Sequence, residues 1–153
     1  MKKIISVNNS GSSDALLLVL RIGVAAMMLT HGVSKMMMLL GGAPIQFPPV
    51  LGLSPETSLL LAVGAEVFGS VLVLTGTATR LAVVPLIVTM LVAALVVHSA
   101  DPFATKEPAL LYLLIYTALL IGGSGRYSVD FVLMRRVVRD DKGTRRPQLS
   151  SVS

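Results

Sequence analysis

A chain of 153 residues, 54% of them hydrophobic and 14% charged, with a positive mean hydropathy, has the length of one domain and a composition that excludes an ordinary soluble globule. With no Cys, the chain itself cannot form disulfides, run CxxC redox chemistry or hold a metal through thiolates. Its net charge of +5 does not point to nucleic acid, because six of the thirteen Lys and Arg lie between Arg135 and Arg146, directly after the last apolar run. That placement suits a cytoplasmic anchor on anionic lipid.

In chain order, residues 1–13 read as a polar, flexible lead ending in a helix cap at Ser13 or Asp14. Helix 1 is expected over 14–40. Met1-Lys2-Lys3 before an apolar run raises a cleaved leader, but Arg21 interrupts the run and no small-x-small site precedes His31 and Lys35. Helix 1 is therefore expected to be retained. Each charge at the centre of a spanning helix costs roughly 2.5–3.5 kcal/mol, against about 0.3–0.6 gained per large apolar residue. Arg21, His31 and Lys35 thus need partners from other helices. Lys35 lies one turn beyond His31 and projects within about 40° of Arg21, so one polar stripe is expected to face a bundle interior.

Gly41-Gly42-Ala43-Pro44 stops helix 1, and Ile45 to Leu53 is apolar but broken by Pro48 and Pro49. This loop reads either as a lid on the outer membrane surface or as a greasy connector. Ser54-Pro55-Glu56 is a helix start, with a capping Ser, Pro at the first helical position and an acid in the first turn. Helix 2, expected over 56–76, carries Glu66 at its midpoint, on a face with Ala62, Gly69 and Ser70 that would admit another helix closely. Helix 3, expected over 79–99, contains Pro85, Thr89 as a neutral hydrogen-bonding group, and His98. Helix 4, expected over 106–123, starts near Glu107 and ends in a glycine run; its span is of minimal length. A basic tail, 127–153, includes a short interfacial helix from Phe131 to Arg139 and a polar, disordered segment from Asp140 onward.

The expected fold is an all-α membrane protein, a four-transmembrane-helix bundle over 14–126. Lys2, Lys3, Arg80 and the C-terminal cations fall on one side, which the positive-inside rule makes cytoplasmic, so both termini are placed there. Counting depth at about 1.5 Å per residue brings Arg21 towards Glu66, and groups His31, Lys35, His98 and Glu107 nearer the outer side. The expectation is an outward-opening polar pocket with an Arg21–Glu66 pair at its floor. Two readings of these residues stand. They bind a ligand, or they only hold the bundle in register, with Lys35 and Glu107 snorkelling to the interface. A haem held by His31 and His98 is disfavoured, and no metal-binding, nucleophilic or phosphate-loop motif is present. The Met27-Met28 and Met36-Met37-Met38 clusters read as lipid-facing or packing residues.

The polar positions form an ordered series: Arg21, His31-Gly32 with Lys35, Glu66-x-x-Gly69, Gly76 with Thr79-Arg80, Met90, His98, Glu107, and Gly123-Ser124-Gly125-Arg126-Tyr127-Ser128-Val129-Asp130. Over about residues 15–130 this resembles the DoxX family of small bacterial four-helix membrane proteins, with Ser124 in place of an expected Pro. The resemblance implies a place in a membrane redox system in the bacterial cytoplasmic membrane. A related family, DoxD, supplies the small subunit of an archaeal thiosulfate:quinone oxidoreductase, and a mycobacterial member is linked to an oxidative-stress complex. On this reading His31, Lys35, Glu66, His98 and Glu107 line a pocket for a quinone head group, within a wider pocket or buried polar network that includes Arg21 and Thr89. The partners implied are the bilayer, soluble or membrane redox proteins and further copies of the chain. The alternative is a non-catalytic anchor or scaffold.

Overall fold

The computed structural model describes residues 10–144, with side chains described for 11–136. It is all-helical over these residues. Four helices, α1 (Ser10–Leu40), α2 (Pro55–Thr75), α3 (Thr79–Val97) and α4 (Phe103–Gly122), are each long and apolar enough to cross a membrane. A fifth, α5 (Val129–Thr144), follows the glycine-rich turn after α4. The four long helices run alternately up and down. One end of the bundle, the loop end, carries the 41–54 connection and the 98–102 turn. The other, the turn end, carries the start of α1, the Gly76–Ala78 turn and the start of α5.

Local chemistry accounts for most boundaries. Ser54 caps α2, its hydroxyl accepting from Thr57 N–H at 3.2 Å, with Pro55 opening the helix. Gly76 ends α2 in the left-handed conformation, φ +72. Thr77 N–H donates to Leu72 O and Gly76 N–H to Val73 O, the two bonds of a Schellman cap. The start of α1 differs from expectation. Helix begins at Ser10 rather than after a cap at Ser13 or Asp14, because the Asp14 carboxylate is engaged elsewhere: it accepts from the Arg126 backbone N–H at 3.0 Å. Likewise α5 runs on to Thr144, so Asp140 to Thr144 are helical where a disordered tail was expected. Its start is set by the Ser128 hydroxyl, which accepts from Phe131 N–H. The rest of the expected tail lies outside the described residues.

The core is apolar and central. Val24, Ala25 and Met28 of α1 meet Val73 of α2, Val83, Leu86 and Met90 of α3, and Tyr112, Tyr116 and Leu119 of α4. Met28 is buried, whereas Met27, Met37 and Met38 face outward, as the lipid-facing and packing reading expects. Two π turns interrupt the bundle, Gly64–Phe68 in α2 and Ala93–Val97 in α3. Such turns commonly mark functional positions.

Candidate functional site

Lys35 of α1 forms an ion pair with Glu66, which sits inside the π turn of α2. The close approach is set one turn earlier. At Gly32 a Cβ would lie 2.9 Å from Val67 Cγ2 and 3.1 Å from Glu66 Cβ, so only a residue without a side chain lets α1 lie this near the π turn. Helical side chains tilt towards their own N-terminus, which carries the Lys35 ammonium back to the level of Glu66. The two partners are unequal. The Glu66 side chain is 1% exposed and that of Lys35 29%, and Glu66 Oε2 has no hydrogen-bond partner among the described residues.

This pair floors a cavity of about 540 Å³. One wall comes from Ser58, Leu61 and Ala62 of α2, the other from Val88, Thr89, Val92 and Ala93 of α3, with His98 at the rim. The 41–54 loop forms the roof through Phe47, Val50 and Leu53. It is fastened at two points: Val50 N–H donates to the buried Ser58 hydroxyl at 3.1 Å, and the Phe47 ring lies 5.9 Å from Lys35 Nζ. Apart from Lys35 and Glu66 the lining is largely apolar. Thr89 donates its hydroxyl hydrogen to Pro85 O at 2.8 Å, so it offers the cavity an acceptor. The His98 ring holds Asp101 through Nδ1 at 2.7 Å, leaving Nε2 free.

Of the seven residues expected to form a pocket or buried polar network, the structure brings together Lys35, Glu66, Thr89 and His98 around one cavity. His31 is elsewhere, exposed on α1 with its ring edge-on to Tyr112 at 6.0 Å. Glu107 is exposed on α4 and does not line the cavity.

Arg21 does not pair with Glu66. It lies at the turn end, where its Nε donates to Val73 O at 3.1 Å and Nη2 to Leu74 O at 3.3 Å and Tyr127 O at 3.1 Å, with Nη1 on Ser124 O. Val73 is seven residues beyond Glu66, or about 10 Å along the helix, more than an Arg side chain spans. The carbonyls at the end of α2, at the negative pole of its dipole, are the nearer acceptors. At 1% exposure Arg21 is the largest fully buried side chain among the described residues.

Around Arg21 the residues of the 123–130 motif form a clasp. Gly76 packs on the guanidinium so closely that a Cβ would sit 2.6 Å from Nη1. Asp130 caps the start of α3, accepting from Ala78 N–H at 2.8 Å and Thr79 N–H at 3.5 Å. Arg80 reaches Ile121 O at the end of α4. Because Ser124 contributes its backbone carbonyl, the absence of Pro there leaves the clasp unaffected.

Sequence reasoning passed over a second polar group behind Glu66. Ser70 and Tyr116 are wholly buried, and neither the Ser70 Oγ nor the Tyr116 hydroxyl has a partner among the described residues. Tyr116 stacks on Tyr112 at 6.1 Å and has Glu66 and Ser70 as polar neighbours. Tyrosines in an apolar helix read as core aromatics, so the only available signal was Ser70, one turn beyond Glu66. Among the described residues no three His, Asp or Glu side chains are grouped to hold a metal ion.

The geometry combines a shielded ion pair, an apolar chamber and a separate structural clasp. No curated protein and no solved structure matches the chain. The DoxX family model matches residues 16–99, more than half the chain, covering α1 to α3 with Lys35, Glu66 and most of the cavity wall and stopping before α4. This chain is a multi-pass membrane protein that belongs to the DoxX family.

Proposed function

We propose that the chain is a membrane subunit of a redox system in the bacterial cytoplasmic membrane, and that the Lys35–Glu66 cavity receives a quinone head group. The observation that carries this reading is a single charged pair at the floor of an apolar chamber of about 540 Å³. Ligand sites are mostly apolar with a few well-placed polar groups. A quinone supplies reversible two-electron, two-proton chemistry when bound, and this chain supplies the contacts. The Lys35 ammonium, part-exposed to the cavity, is a hydrogen-bond donor for a carbonyl oxygen. Glu66 holds it in place, its own Oε2 buried and without a hydrogen-bond partner among the described residues. His98 Nε2 offers a second polar contact at the rim, and the aliphatic walls suit an isoprenoid tail. In this reading the basic residues at the turn end lie in the cytoplasm, and the loop end faces outward.

The test is gentle purification from native membranes, with extraction and identification of bound lipids. Quinone is expected with the wild-type chain and at least tenfold less with Glu66→Gln, at unchanged helical content. A quinone-free protein that still retains a stable protein partner would favour the anchor reading instead. The wholly structural clasp at Arg21 is the feature that supports that alternative.

A further inference from the structure

The two walls of the cavity do not close on each other. Near the turn end α2 and α3 are in tight contact: a Cβ on Gly69 would lie 3.0 Å from Leu86 Cγ and 3.3 Å from Ala82 O. Gly69–Thr75 packs on Thr79–Val92, whereas the first half of α2, Pro55–Val63, packs chiefly on α1 and leaves α3. The cavity occupies the space between the diverging halves. Leu61 of α2 and Val88 of α3 both line it, and at 59% and 53% exposure neither is covered by a neighbouring element. They lie about 9 and 13 Å below the loop end at 1.5 Å per residue, within the spanning segments. The roof is held down by the Val50–Ser58 hydrogen bond and the Lys35–Phe47 contact.

We propose that the gap between Leu61 and Val88 is a lateral portal, through which a bilayer-dissolved amphiphile enters the cavity sideways, polar head towards Lys35 and tail left between α2 and α3. This rests on the reading of the cavity as a head-group site, and it adds the route and with it the class of ligand. A charged, water-borne solute would cross a largely apolar mouth, where little replaces its hydration, before reaching the ion pair. A lipid-soluble carbonyl compound leaves its tail in an environment like the one it came from, and only its head exchanges partners. The portal therefore selects for a long-tailed molecule delivered from the membrane and against a soluble one.

The absence of native Cys allows a direct test. In protein reconstituted into lipid nanodiscs, Ala93→Cys puts a thiol on the cavity wall and Gln46→Cys puts one on the exposed loop. Each is treated with N-phenylmaleimide, which partitions into lipid, and with a sulfonated methanethiosulfonate, which does not. After scaling each reagent to its rate at Gln46→Cys, the apolar reagent is expected to modify Ala93→Cys at least about tenfold faster than the charged one. Adding Leu61→Trp should slow it several-fold without changing the rate at Gln46→Cys. Equal scaled rates would show entry from water, an unchanged rate with Leu61→Trp would place the opening elsewhere, and failure of both reagents would show a sealed cavity. Each of these overturns the portal. No quinone is used, so loss of the quinone reading with the reagent pattern intact would leave the portal standing for another amphiphile.

Discussion

Lys35 meets Glu66 at the one place where α2 widens into a π turn, and Gly32, less than a turn before Lys35, is what lets the two helices approach there. The ion pair is thus tied to backbone geometry on both helices. Gly32→Ala should separate α1 from α2, since its Cβ would press on the Glu66 backbone as well as on Val67. A loss of about 1–3 kcal/mol is expected, the usual cost of overpacking. Thermal unfolding in detergent measures it, and an unchanged midpoint would show that the close approach is not required.

The unequal burial of the pair makes the two single substitutions unequal. Lys35→Met strands a carboxylate with no access to water, whereas Glu66→Gln leaves a lysine that can extend to solvent. Lys35→Met should cost about 3–5 kcal/mol and Glu66→Gln clearly less. The double substitution should be milder than the sum, as contacting residues couple. The corresponding cycle for Arg21 with Glu66 should be additive, because the two share no contact.

Arg21 serves four carbonyls with a planar fork, a geometry that a lysine does not reproduce. Arg21→Lys is expected to lower folded yield and melting temperature markedly while leaving ligand content per folded molecule unchanged. Selective loss of ligand at normal stability would instead connect Arg21 to the cavity.

The Tyr116 hydroxyl is buried without a partner among the described residues, and an unsatisfied polar group costs about 1–3 kcal/mol. Tyr116→Phe should therefore be neutral or stabilising by thermal unfolding. A loss of stability would show that the hydroxyl is satisfied, with the neighbouring Ser70 hydroxyl the natural partner.

Orientation has its own test. With Gln46→Cys and Ser12→Cys as single thiols in intact cells, a membrane-impermeant maleimide should label the first directly and the second only after permeabilisation. The reverse pattern would invert the topology.

How much was readable from the residues follows from what each contact uses. The four spans follow from apolar runs, and the start and end of α2 from Ser54-Pro55 and Gly76, because these signals are local. Lys35 and Glu66 were legible as members of a site but not as each other's partner. Their pairing depends on the Gly32 approach and on the side-chain tilt, which a count of residues from helix ends does not capture. Arg21 was assigned the wrong partner for a more general reason: its acceptors are backbone carbonyls, which every residue carries and no sequence marks. The π turns are likewise products of packing, whereas the proline-broken loop was readable as a lid or a connector, and only its place over this cavity was not. His31 turns its ring to Tyr112 and Glu107 is exposed on α4, so neither reaches the site.

The most direct test of the central claim is photoaffinity labelling of nanodisc-embedded protein with an azido-substituted short-chain ubiquinone, followed by peptide mapping. The account predicts covalent label on the stretches that line the cavity, Leu61 to Glu66 and Val88 to Ala93, displaced by excess unmodified quinone and lost in Lys35→Met. Label spread over the lipid-facing surface, indifferent to competitor and to Lys35, would contradict it.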